Sequence, residues 1–241
     1  MTGLMTARIT VQEQMTGHTQ TQIAGIEAVC DLSGALYLPS LSLLVVSDLH
    51  LEKGAAFARR GQLLPPYDTL ATLKKLDAVL ARYNPAIVIS LGDNFHDRAG
   101  SALMPDAFRQ SLTGLAKGRE WIWINGNHDP DGVTGLPGMD ADILSYGGLT
   151  FRHEPQAGVA TGEIAGHLHP AATVRRQGKS VRRSCFANDG QRLVMPAFGV
   201  TTGGLDLGHK AFAGLFSKPS LVAHLLGRDR VYAVRFGNLR E

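Results

Sequence analysis

The sequence predicts an α/β protein made of two packed sheets with helices outside, and three observations carry that expectation. In the first part of the chain, short and nearly continuous apolar runs alternate with helical periodicity. After about residue 140 the texture changes to short strand-like segments separated by Gly and Asn-Asp-Gly turns. No Pro/Ser-rich linker, repeat or low-complexity segment separates the two parts, so one domain is expected.

Residues 1–21 hold six threonines and almost no apolar periodicity, and are expected to form a mobile extension ahead of a domain spanning 22–241. The run LSLLVV (41–46) reads as a strand buried on both faces and ends at Ser47-Asp48-Leu49-His50. A helix is expected after Pro65-Pro66: Asp68 can cap it, Leu70, Leu73, Leu76, Leu80 and Tyr83 recur at helical spacing, and Asn84-Pro85 stops it. A second strand, 86–91, ends at Gly92-Asp93, and a third, 121–124, at Asn125-Gly126-Asn127-His128-Asp129. A helix carrying Leu103, Phe108, Leu112 and Leu115 is expected between them, which implies parallel strands with crossover helices. Segments 149–152, 163–165, 192–195 and 231–234 read as strands of a second layer.

With 241 residues the chain can bury a substantial core, and 44% apolar and 19% charged residues place it among globular rather than disordered proteins. No apolar run approaches the roughly 20 residues of a membrane helix, and the start lacks the apolar stretch of a secretory signal. Cys30 and Cys185 are far apart with no CxxC pair, which argues against a disulfide framework or thiolate zinc site and for a reducing, cytoplasmic setting. The net charge of +3 is too small to announce a polyanion partner. Its distribution says more: VRRQGKSVRR (174–183) holds Arg175, Arg176, Lys179, Arg182 and Arg183 and no acid. That run reads equally as a phosphate-contacting surface and as a solvated hairpin tip turning at Gln177-Gly178.

The three apolar strands end in polar clusters, where ligands collect in open α/β sheets. The clusters are Asp48-x-His50, Gly92-Asp93-Asn94-Phe95-His96-Asp97 and Gly126-Asn127-His128-Asp129, joined by His153 and Gly166-His167-Leu168-His169 from the second half. Six of the nine histidines lie in these five stretches. Carboxylate, amide and imidazole donors without sulfur suit Mn, Fe or Zn. Residues two apart on a strand point the same way, so Asp48 with His50, and His167 with His169, are each expected to aim at one region from an extended backbone. Glycines 92, 126 and 166 are expected to let the chain come close to a ligand.

The series DxH, GDxxH, GNHD, single His and GHxH resembles the calcineurin-like metallophosphoesterases, which implies a two-sheet αββα sandwich carrying two divalent metal ions. The stretches SDLHLEKGAAFARRGQLLPPYDT, LGDNFHD, WIWINGNHDP, FRHEP, GEIAGHLHPAA and MPAFGVTTGGLDL resemble, more narrowly, the ligase-associated DNA damage response endonuclease (PdeM) family. By that resemblance Asp48, His50 and His169 hold one metal, Asn127, His153 and His167 the other, and Asp93 bridges them, with Mn expected and Fe or Zn the alternatives. His128 is implied as the general acid, with Asp129 holding its ring; Gly92-Asp93-Asn94-Phe95-His96 is similar to the motif of SbcD-type repair nucleases, which implies His96 as a residue that places the substrate phosphate, an ordinary loop histidine being the alternative. Arg59 and Arg60, and Arg175 and Arg176 of the hairpin, are candidate contacts to flanking phosphates; a solvated or snorkelling role is the alternative for each. The resemblance implies a phosphodiesterase acting on single-stranded or hairpin DNA, beside an ATP-dependent DNA ligase and a helicase. The same ligand set also serves small phosphoesters such as nucleotides, and a silent scaffold of this fold is a third reading.

Overall fold

The computed structural model describes residues 17–62, 67–176 and 178–239, with the side chain of Arg176 left out. Residues 1–16 of the expected extension, Pro65-Pro66 and Gln177 therefore lie outside the described residues. The first sheet runs in chain order: β1 (His18–Ile23), β2 (Ile26–Asp31), β3 (Leu36–Leu38), β4 (Leu43–Val46), β5 (Ile87–Leu91), β6 (Glu120–Ile124) and β7 (Met139–Ala141). Strands β1 to β4 pair antiparallel, and β4 to β7 pair parallel. Residues 18–21, read as part of the extension, thus belong to the sheet, with Thr19 opposite Cys30.

The parallel part follows from α1 (Lys53–Arg59), α2 (Asp68–Tyr83), α3 (Gly100–Leu103) and α4 (Asp106–Ala116), which occupy the crossovers. The second sheet comprises β8 (Ile143–Tyr146), β9 (Leu149–Arg152), β10 (Glu163–Ala165), β11 (Pro170–Arg176), β12 (Lys179–Asn188), β13 (Arg192–Val194), β14 (Leu205–Asp206), β15 (Val222–Leu226) and β16 (Val231–Arg235). In it β9, β10 and β13 are parallel neighbours.

The apolar runs are continuous because both faces of the strands are covered. Leu43, Val45, Ile89, Leu91, Ile122 and Ile124 face Phe151, Ile164, Phe186, Leu193 and Met195 of the second sheet. Their neighbours Leu44, Val46, Val88, Trp121 and Trp123 pack outward against Leu73, Leu76 and Leu80 of α2 and Leu112 of α4. The outer face of the second sheet buries Ala172, Cys185, Ala223 and Leu225 together with Leu207, Phe212 and Leu239. Phe212 and Leu239 belong to the 3-10 turns Lys210–Phe212 and Phe236–Leu239, so short turns take the place of α-helices there. No helix among the described residues is long and apolar enough to cross a membrane.

Three local expectations are corrected. Asp68 does not cap its own helix: its carboxylate accepts the Gly54 N–H at 3.1 Å, in the first turn of α1. Leu70 and Leu103 are 41% and 56% exposed, off the buried faces they were expected to join. The single helix expected over Leu103 to Leu115 is two, because Met104 is extended before Pro105, whose ring disfavours helical backbone in the preceding residue.

The last turn of α2 is tied to β2 through Asp31, which is 1% exposed. Arg82 Nη1 and the Tyr83 hydroxyl donate to its Oδ2 at 2.6 and 2.7 Å, and Ser33 N donates to Oδ1 at 2.8 Å. Burial works to raise this carboxyl, but the Ser33, Tyr83 and Arg82 donors outweigh it and hold it below the usual carboxylate range. The stability it contributes is therefore present above the unfolded value near ~4 and is lost as pH falls through the lower folded value. Asp31→Asn is expected to cost about 1–3 kcal/mol at pH 7 in urea unfolding. The gap from wild type should narrow below pH ~4; a gap that widens in acid would contradict this account.

Candidate metal centre

The parallel strands of both sheets run out at one end of the sandwich, where segments 47–52, 92–97, 125–129, 153 and 166–169 meet. The site residues leave their strands in an unexpected backbone state. Strands β4 and β10 stop at Val46 and Ala165, so Asp48, His50, His167 and His169 lie beyond them. Each is left-handed, with φ of 52°, 43°, 65° and 44°, and Asp93 (45°) and Glu52 (60°) share that conformation. Convergence of the paired residues thus comes from left-handed turns rather than strand alternation. For non-glycine residues such backbone costs about 1–3 kcal/mol each and persists only where surrounding structure imposes it. Here His50 N donates to Asp93 O at 2.9 Å, Leu51 N to Asn94 O at 2.9 Å, Phe198 N to Ser47 O at 2.7 Å and Gly199 N to Asp48 O at 3.1 Å.

The glycines allow close approach between site segments. A Cβ on Gly166 would collide with Ser47 Oγ and Asp48 Oδ2, and one on Gly126 would collide with Asp93 N.

Among the described residues three groups of donor atoms result, two of which include a carboxylate. Asp48, His50 and His169 place one ligand atom each within 4.8 Å of one another, and Asp93, His153 and His167 do the same. Asp93 lies between the groups: its Oδ2 is 3.8 Å from His50 Nε2 and its Oδ1 is 3.4 Å from His153 Nε2. In the second group His153 Nδ1 donates to the Leu91 carbonyl at 2.9 Å, which turns Nε2 and its lone pair toward the site. That lone pair faces Asn127 Oδ1 at 3.0 Å and His167 Nδ1 at 3.1 Å. Acceptors of this kind crowd together stably around a cation.

In the first group Asp48 Oδ2 accepts from Ser47 Oγ and from His167 N, while Oδ1 has no well-formed hydrogen bond and lies 2.9 Å from His169 Nε2. Asp48 Oδ1, His169 Nε2 and His50 Nδ1 are buried atoms without hydrogen-bond partners. Such a donor set fits a pair of divalent cations with oxygen and imidazole ligands.

Electrostatics keep these donors available. Burial works to raise the Asp48 carboxyl, but His169, His153 and Ser47 outweigh it and keep its pKa low. Burial pushes His50 down to about 3 despite Asp48, and lowers His167 with help from His153. Those two rings stay neutral near pH 7, with lone pairs to offer. For His169 the opposing pull of Asp48 exceeds the effect of burial and raises it.

His128 lies beside this arrangement, its Nε2 3.9 Å from Asp93 Oδ2. Its ring is oriented by a group the sequence did not single out: Nδ1 donates to the carbonyl of His96 at 2.9 Å. Asp129 therefore does not hold the ring, as expected above. Its carboxylate accepts from Asn94 N and Phe95 N at 2.9 and 3.2 Å and from Gly126 N at 3.1 Å, pinning the Asp93 and Asn127 loops together. The His96 and His128 rings stack at 5.2 Å, and Phe57 stacks on the other neighbour, His96, at 5.2 Å. Burial, then Lys53, His128 and Arg60, hold His96 down to about 4, so it faces the site neutral.

The basic candidates separate. Arg59 Nη2 is paired with Asp97 Oδ2 at 2.7 Å, so its charge is already engaged. Arg60 is exposed at the end of α1. Arg175 is exposed on β11, six residues beyond His169 and hence roughly 20 Å along an extended chain. Sequence reasoning missed Ser47 and Asn94, which buttress Asp48 and the Asp93 loop from adjacent positions, and Phe57, which carries no motif.

A two-sheet sandwich with paired Asp/His donor clusters at its strand ends defines a metallophosphoesterase. The chain belongs to the calcineurin-like phosphoesterases: that family's profile matches residues 41–185. Among solved structures it is similar to the nuclease MPE of Pseudomonas putida, with 27% identity, a TM-score of 0.68, and 90% of this chain and 100% of that one covered. No curated protein sequence matches it. It is a hydrolase of phosphoester bonds, and its family implies divalent metal ions.

Proposed function

We propose that this chain is a binuclear phosphodiesterase that cuts DNA endonucleolytically, with Mn as its metal. The observation that carries the reading is the pair of donor clusters sharing Asp93, flanked by the stacked rings of His96 and His128. Asp48, His50 and His169 would hold one cation and Asn127, His153 and His167 the other. Bound there, two cations supply charge neutralisation at the phosphate and stabilise the attacking and leaving oxygens. His128, its Nδ1–H fixed on the His96 carbonyl, presents Nε2 to the leaving oxygen and donates a proton from it. His96 contributes a ring N–H beside that position for a non-bridging oxygen of the phosphate. The likeness to a nuclease supports nucleic acid as substrate, and a role beside a DNA ligase in repair follows from the family resemblance in the sequence.

The test is hydrolysis of a chromogenic phosphodiester and its monoester counterpart with Mn or with chelator, followed by single-stranded and hairpin DNA. Metal-dependent cleavage of the diester and of DNA, with little monoester turnover, is expected. Strong monoester turnover without DNA cleavage would move the substrate to small phosphoesters.

A further inference from the structure

Beside the metal centre lies a cavity of about 420 Å³ lined by Lys53, Gly54, Phe57, Tyr67, Asp68, Ala71, Val200 and Thr201. Its volume falls within the roughly 300–1,000 Å³ of small-molecule sites. Among the described residues three segments wall it: α1, the start of α2, and the loop at Val200-Thr201. They are locked together. Glu52 N donates to Thr69 Oγ1 at 2.8 Å, Gly54 N to Asp68 Oδ2 at 3.1 Å, Lys53 Nζ to Thr201 O at 3.0 Å, and Val200 N to Thr72 Oγ1 at 3.4 Å.

The lining is apolar where it meets solvent. Tyr67 is 69% and Val200 46% exposed, although both are large apolar side chains. The cavity adjoins the catalytic rings through Phe57, which lines it and also stacks on His96, which in turn stacks on His128. The Val200 wall follows Gly199, whose N–H donates to the carbonyl of Asp48. A flat apolar group seated there would touch the Phe57 ring that stacks on His96, with Lys53 on the same wall.

We propose that this cavity is a nucleobase subsite, taking the base of the nucleotide that adjoins the phosphate being cut. The inference rests on the reading of the chain as a nucleic-acid phosphodiesterase. Aromatic and aliphatic walls grip a base by its face, so the subsite holds the strand in register with little preference for which base it takes.

The test uses metal-loaded enzyme and a single-stranded DNA whose cut position has been mapped, with the nucleotide on either side of the cut replaced in turn by an abasic residue. At one of the two positions the abasic change is expected to raise KM about tenfold, the size of one lost base–aromatic stack. Val200→Trp, which fills an exposed part of the cavity, is expected to raise KM on intact DNA similarly and to abolish the further penalty of the abasic residue. Tyr67→Ala should behave in the same non-additive way from the opposite wall. An abasic change without effect at both positions, or penalties that simply add in both variants, would overturn the subsite while leaving DNA cleavage intact. Failure of the wild-type enzyme to cut any DNA would overturn the functional reading itself, and the subsite with it.

Discussion

Asp93→Ala is expected to lose metal and activity together. The two oxygens of this carboxylate face different donor groups, with Oδ2 3.8 Å from His50 Nε2 and Oδ1 3.4 Å from His153 Nε2. Oδ1 also accepts the His128 N–H at 2.9 Å, so the side chain positions the loop that carries the general acid. Removing it leaves Asp48, His50 and His169 on one side and Asn127, His153 and His167 on the other with nothing shared. The loss of diester turnover should exceed the roughly 10–100-fold that follows when a group that only orients a ligand is removed. Metal analysis after dialysis should show both cations depleted. Retention of full metal content by Asp93→Ala would remove this residue from the ligand set.

His128→Ala is expected to separate the two properties. Its ring stands beside the donor clusters, held by the His96 carbonyl, and its task in this account is proton donation. Loss of a positioned general acid costs about 10²–10⁴-fold. The loss should fall on kcat, with metal content close to that of wild type. His50, His96 and His128 also place ring nitrogens within 4.8 Å of one another. If metal were lost with His128, that trio would be a ligand set and the acid would have to be sought elsewhere. Wild-type turnover by His128→Ala would refute the assignment outright.

The scaffold was legible because burial on both faces writes itself into a strand as an unbroken apolar run. Segments 149–152 and 163–165 match β9 and β10, and 41–46, 86–91 and 121–124 contain or overlap β4, β5 and β6 with shifts of one or two residues at their ends. The polar clusters were legible for the same reason: each marks where such a run stops.

The backbone that aims them was not. Asp48, His50, Asp93, His167 and His169 adopt left-handed φ without being glycine, held by hydrogen bonds from other segments such as His50 N to Asp93 O and Leu205 N to His169 O. The group that holds the His128 ring was missed because it is a main-chain carbonyl, which has no residue type to recognise. The cover on the second sheet was likewise illegible, since three-residue and four-residue turns carry no periodicity.

The central claim, two cations held on either side of Asp93, is tested most directly by Mn stoichiometry together with anomalous scattering from crystals of the Mn-loaded protein. The account predicts two Mn per chain after dialysis, one peak among Asp48, His50 and His169 and the other among Asn127, His153 and His167, with Asp93 reaching both. A single bound metal, or peaks that Asp93 does not touch, would contradict it.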